Sequence, residues 1–232
     1  APDREIIEAA WIRASEPTDD RLASPLIGDE VFCQRYKPVR PITLASLSVH
    51  HILPSELDGC PPSSECKLPA DTTYIIGANI DFDWEAIGKP DVKRIDTCAM
   101  ARYVYTEADS HTQSALLYHV LGAKPGTRER LKNAHSALAD VENNVVLLEH
   151  LLRDAPKSIA TWSELHAYSE ECRIPRLMPL GDKQGLKGLT LDDAVKKDRG
   201  FCDWVCQQKW ADAYLVKGIK LAIERGQGRR RA

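Results

Sequence analysis

The segment that most restricts how this chain can fold is 136–153, where Val141, Val145, Leu148, Leu151 and Leu152 recur at helical spacing with polar residues between them. A stripe of that kind is stable only when its apolar face is buried against another layer. The residues upstream supply one. Thr72 to Gly77 (TTYIIG) is short, apolar and β-branched, the pattern of a fully buried central strand. Glu5 to Ala14 (EIIEAAWIRA) and Asp29 to Tyr36 (DEVFCQRY) read as two earlier strands, with the polar segment 15–20 between them. Leu44, Leu47 and His51 have helical spacing, and a proline loop at 61–64 follows. Val92 to Ile95 reads as another strand, with Asp96-Thr97 capping a helix through Cys98–Tyr105. Further helices fit the stretch after Asp83, ending before Gly88, and Thr112 to Leu121, ended by Gly122. Strands first, then strands alternating with helices, imply an α/β layered domain over 1–153. A connector with its own short helix covers 154–174, and a small second unit covers 175–232.

Two places in this order can carry chemistry. Asp83 follows the apolar strand, where a carboxylate can face a cleft at the sheet's end. Asp140 lies on the long helix, anchored by Leu138 and Val141, and His135 stands five residues before it near the helix start. Clustered carboxylates suit Mg²⁺, which prefers oxygen ligands, and two such ions can activate a water and stabilise a leaving oxygen in phosphodiester hydrolysis. A neutral histidine beside that water can take its proton near neutral pH. Taken singly, each feature has a plainer meaning: an Asp after a strand is usually a helix cap, and a His-x4-Asp pair is common on helices.

In their order and separation, these motifs resemble those of the DnaQ-like 3′→5′ exonucleases of the DEDDh type, most closely exonuclease X and its relatives. Asn79-Ile80-Asp81-Phe82-Asp83 is similar to the family's "H-N-x-x-F-D" motif, with Ala78 in place of the usual His. Arg94-Ile95-Asp96-Thr97 through Ala101-Arg102 follows its "I-D-T-x-x-x-A-R" stretch, and Pro41 to Ile52 its "I-x6-I-H-x-I" segment. The last catalytic motif falls on His135 and Asp140. The resemblance implies a ribonuclease-H-like mixed sheet flanked by helices, two Mg²⁺ or Mn²⁺ ions, and a single-stranded or frayed DNA 3′ end as substrate, RNA not being excluded. It makes Asp83 and Asp140 metal ligands and His135 the general base, with Asn79 positioning the strand or the metal-bound water. His50 would line the substrate cleft. Met178-Pro179-Leu180-Gly181-Asp182-Lys183-Gln184-Gly185 looks like the "M-P-F-G-K-x-x-G" turn of exonuclease X relatives, leaving Lys183 and Lys187 available for phosphate. The alternative there is a structural cap in which Trp204 fills a small core.

The family's Asp-x-Glu motif lies on a first strand, which the pattern places some ten to fifteen residues before Glu5, and no strand carrying Asp-x-Glu precedes Glu5 in this sequence. Glu5 and Glu8 are poor replacements, because at a period of two they cannot share one face. Two readings stay open: a shortened form of an active exonuclease, or a protein that binds nucleic acid or a partner on the same fold without cutting.

Composition narrows the setting. With 28% charged and 43% hydrophobic residues, the chain has a soluble globular profile. No apolar run approaches the ~20 residues of a membrane span. The opening residues resemble no secretory signal, so the seven cysteines are expected as free thiols in a cytoplasmic protein. A net charge of −3 argues against broad coating of DNA but permits a local basic site. The Arg229–Arg231 run reads first as a solvated tail.

Overall fold

The computed structural model describes residues 5–15, 27–132 and 136–228. The expected connection beyond residue 15, the turn before the long helix with His135, and the arginine tail lie outside them. The chain divides into two compact units, 1–169 and 170–232.

The first unit is α/β, its small sheets flanked by helices, consistent with a ribonuclease-H-like core. Strands β1 (Glu8–Ala14) and β2 (Ile27–Arg35) pair antiparallel. Trp11 stands opposite Phe32, and their rings stack with centroids 3.6 Å apart. Strands β3 (Tyr74–Gly77) and β4 (Lys93–Asp96) pair in parallel, with Gly77 opposite Asp96. The expected burial of β3 on every side is not met. All four of its residues are only half-buried, because β4 takes one edge and no described strand pairs with the other.

Helix α1 (Leu44–His50) starts at the Thr43 cap and buries none of its residues, and Leu44 and Val49 face solvent. Helix α2 (Asp81–Ala86) follows β3, and α3 (Thr97–Val104) follows β4. Next come α4 (Gln113–Leu121), closed by Gly122 at φ 83°, and α5 (Pro125–Leu131). Helix α5 is not among the helices that the apolar patterning predicts. It has no apolar periodicity, and its start depends on Pro125 in the first turn, where a missing N–H costs nothing. Helix α6 (Ala137–Asp154), capped by Ser136, packs against β1, α3 and α4. Leu147 and Leu151 are sealed in the core with Ile95, Met100, Leu116 and Leu117. Each such side chain contributes about 1.5–3 kcal/mol through burial. Helix α7 (Trp162–Cys172) follows, with Leu165 and Tyr168 buried.

The second unit holds three helices, α8 (Leu191–Lys197), α9 (Arg199–Gln207) and α10 (Ala213–Gly228). Thr190 and Asp198 cap the first two by accepting amides of the opening turns. Met178, Leu186, Cys202, Val205, Leu215 and Ile219 form its core. The turn before α8 uses Gly181 and Gly185 at positive φ, and a single bridge between Leu177 and Thr190, rather than a pair of short strands, spans it. All seven cysteines are unpaired. Among the described residues, no helix is long and apolar enough to cross a membrane.

Candidate functional site

Asp83 sits in the first turn of α2 rather than at the strand's end, and a tight connection puts it there. After Gly77 the chain turns through Asn79, which adopts a left-handed conformation at φ 56°. Ile80 folds back so closely that a Cβ on Gly77 would meet its Cδ1 at 2.8 Å, so glycine is required at that point. The turn is held from the neighbouring strand. Asp96 Oδ1 accepts the Asn79 amide at 3.1 Å and also the amides of Cys98 (2.9 Å) and Ala99 (3.1 Å) at the start of α3. One buried carboxylate oxygen therefore caps a helix and fixes the loop that launches Asp83.

Asp140 lies in the first turn of α6. The Gln113 side chain donates to its carbonyl at 2.8 Å, and Glu8 of β1 accepts the Ala137 amide at 2.7 Å, tying the helix start to the first sheet. These elements bring Asp83 and Asp140 within electrostatic reach although 57 residues separate them. Asp83 is at the surface, yet protein atoms crowd it. The lost solvation pushes its pKa up to about 6, and the charge of Asp140 adds to the rise. His135, the expected base, lies outside the described residues.

His50 occupies the last turn of α1. Its Nδ1 accepts the Ile52 amide at 2.9 Å, while Nε2 is buried without a partner. The charge of Glu8 reaches it, so His50 lies on the same side of the unit as the start of α6. Burial, helped by His51, holds the imidazole below its ordinary pKa of 6.5. The unfolded chain therefore takes up this proton before the folded one does. The associated stability is present above about 6.5 and is lost as pH falls through the folded value. Asp83, held near 6, acts in the opposite sense over this range, so the His50 contribution is read as a difference: between pH 7.5 and 5.5 the denaturant midpoint of the parent should fall relative to that of His50→Asn, whose carbonyl can still accept an amide two residues on.

Asn79 contributes its backbone amide, and its side chain is exposed. Lys183 and Lys187 belong to the second unit. Both are exposed, and Lys187 pairs with Asp182 at 3.2 Å. Two asparagines on α6, Asn143 and Asn144, are buried although nothing in the apolar patterning marks them. Asn144 accepts the Thr97 hydroxyl at 2.6 Å, and Asn143 accepts from Arg130 at 3.3 Å. Their spacing of three and four residues from Asp140 was the available signal, since it puts all three on one helical face. Glu5, for its part, accepts the amides of Val39 and Arg40.

No family model matches the chain, and no curated protein does. Among solved structures it is similar to exonuclease X in complex with 5′ overhanging duplex DNA, at 16% identity and a TM-score of 0.50, over 70% of this chain and 98% of that one. The likeness is one of fold. It is a weak, low-identity match to an exonuclease-X-like DEDDh architecture. Among the described residues, no group of three or more His, Cys, Asp or Glu side chains is placed to hold a metal ion. The donor set among the described residues therefore falls short of the two-ion site that the motifs implied.

Proposed function

We propose that this chain is a nucleic-acid-binding protein on an exonuclease-type fold, whose own described residues make up only part of a metal site. The observation that carries this reading is that, among the described residues, no group of three or more His, Cys, Asp or Glu side chains is placed to hold a metal ion, although the charges of Asp83 and Asp140 reach each other. Two-ion hydrolysis needs carboxylates enough to hold both ions. Two carboxylates, one with its charged form disfavoured, make a weak site for one. The partner we assign is a single-stranded or frayed DNA 3′ end, an assignment supported by likeness to a fold solved with overhanging duplex DNA.

A second reading, a metal-dependent 3′→5′ exonuclease, draws on the same pair. Two carboxylates from separate helices whose charges reach each other would supply part of a hydrolytic site. In that reading Asp83 and Asp140 ligate Mg²⁺ or Mn²⁺ and His135 serves as the base. The test is incubation of the full chain with 5′-labelled single-stranded and frayed DNA in Mg²⁺ or Mn²⁺, following binding by anisotropy and shortening on a gel. We expect binding without shortening, and unchanged binding in Asp140→Asn. Nucleotide release that Asp140→Asn abolishes would replace this reading with the exonuclease.

A further inference from the structure

The second unit has an outer face that its fold does not use. On α9, Phe201 and Trp204 lie three residues apart, and Trp210 follows just beyond the helix. The Phe201 and Trp204 rings are 5.5 Å apart at 37°, and the Trp204 and Trp210 rings 5.9 Å apart at 61°. Trp204 is 47% exposed and Trp210 59%. Trp204 therefore does not fill a small core, as the structural-cap alternative required; Cys202 and Val205 on the opposite face of α9 do that. The row of rings is braced from behind. A Cβ on Gly181 would meet the Phe201 ring at 3.2 Å, so the glycine turn packs directly on the first ring. With its backing fixed, Trp204 loses little freedom when something stacks on it.

The unit carries a small excess of cations. Its described residues, 170–228, hold eleven lysines and arginines against nine acidic residues, one of them Asp212 two positions beyond Trp210, in a chain whose net charge is −3. The acidic neighbour on α9, Asp203, is neutralised by Arg199 at 3.0 Å. Lys209 and Lys220 are exposed, and neither has an ion-pair partner among the described residues. The charge of Lys220 reaches the Cys206 thiol, which places that lysine beside the end of α9.

We propose that Trp204 and Trp210 form a stacking platform for the bases of single-stranded nucleic acid, with Lys209 and Lys220 meeting its phosphates. Indole rings offer bases a flat, sequence-tolerant partner, and flanking lysines favour a polyanion over an apolar polypeptide. Rings standing at 61° to each other leave separate faces open to successive bases rather than one flat apolar patch. A duplex keeps its bases stacked and has none to offer.

This deepens the nucleic-acid-binding reading above and rests on it, so the experiment must separate the two. Fluorescein-labelled dT12 and rU12 are titrated with the full chain, alongside a 12-base-pair duplex, and sedimentation velocity is run on the same samples. We expect both single strands to bind more tightly than the duplex and to quench tryptophan emission, with the relative strength of the two distinguishing DNA from RNA. Each Trp→Ala should weaken binding by about tenfold and the double variant by about a hundredfold. Trp204→Phe with Trp210→Phe should recover most of that loss, which misfolding would not allow. Lys209→Glu with Lys220→Glu should flatten the salt dependence. Oligonucleotide binding that is unchanged in the double alanine variant overturns the platform and leaves the broader reading standing. If no oligonucleotide binds, both fail. Loss of self-association in the tryptophan variants with unchanged dT12 binding overturns the platform and assigns the face to a second copy.

Discussion

Replacing Asp96 with alanine should lower the stability of the first unit by about 3 kcal/mol. One part of that loss is a helix cap, worth about 1 kcal/mol. The larger part comes from leaving amides of Asn79, Cys98 and Ala99 without their acceptor in a setting where Asp96 itself is 8% exposed. A buried unsatisfied donor costs about 1–3 kcal/mol. Asp96→Asn keeps an acceptor oxygen and should cost about 1 kcal/mol. Urea unfolding at neutral pH measures both. Because the Asn79 amide is one of the three, the alanine variant should also loosen the start of α2, visible as faster hydrogen exchange across residues 79–83. Equal losses for alanine and asparagine would mean that the carboxylate's charge matters more than its acceptor geometry.

Gly218→Val should destabilise the second unit by about 2–3 kcal/mol. Gly218 lies within α10, where glycine is a poor helix former; alanine would gain about 1 kcal/mol of intrinsic propensity and the β-branched valine less. Packing opposes that gain. A Cβ at this position would come within 2.6 Å of Leu191 Cδ1 and 2.7 Å of Ile174 Cγ2. Leu191 is buried in the unit's core and Ile174 packs against it, so neither can swing away freely. Overpacking of this kind costs about 1–3 kcal/mol, and the branched valine adds two more methyl groups to the clash. Overpacking should therefore win: alanine should lose about 1 kcal/mol and valine more. Hydrogen exchange in α8 and α10 is the direct readout. A Gly218→Ala variant more stable than the parent would show that the helix can shift to make room.

Both variants probe features that local sequence signals announce only in part. Asp96-Thr97 was legible as a cap because helix starts are encoded within one turn: the acceptor side chain and the amides it serves are two and three residues apart. The same holds for Gly122 after α4 and for the glycine turn of the second unit. Strand positions were legible from apolar and β-branched runs. What failed locally was α5, which has no apolar periodicity, and α2, whose start moved forward to include Asp81 and Asp83.

The candidate site was legible as a set of residues but not as a geometry. Sequence motifs marked Asp83 and Asp140; only the packing of α6 on β1 and α3 brought their charges within reach. Asp96 holding the Asn79 turn spans 17 residues, and Glu8 holding the start of α6 spans 129, beyond any periodicity. Asn143 and Asn144 were hidden because an asparagine within a helix usually faces water. Here Arg130 and Thr97, from two other helices, supply the partners that make burial affordable. Trp204 shows the same limit from the other side, since a tryptophan three residues from Phe201 reads equally well as core or as surface.

The sequence by itself determined roughly where most helices and strands of the first unit lie, that Asp96 caps one of them, and which carboxylates stand out, because those properties depend on neighbours within a turn or a strand. Only the tertiary structure decided that the strands form one antiparallel and one parallel pair, that Asp83 and Asp140 feel each other, and that Trp204 and Trp210 face outward. Those outcomes depend on which distant surfaces exclude water together, and no local pattern records that.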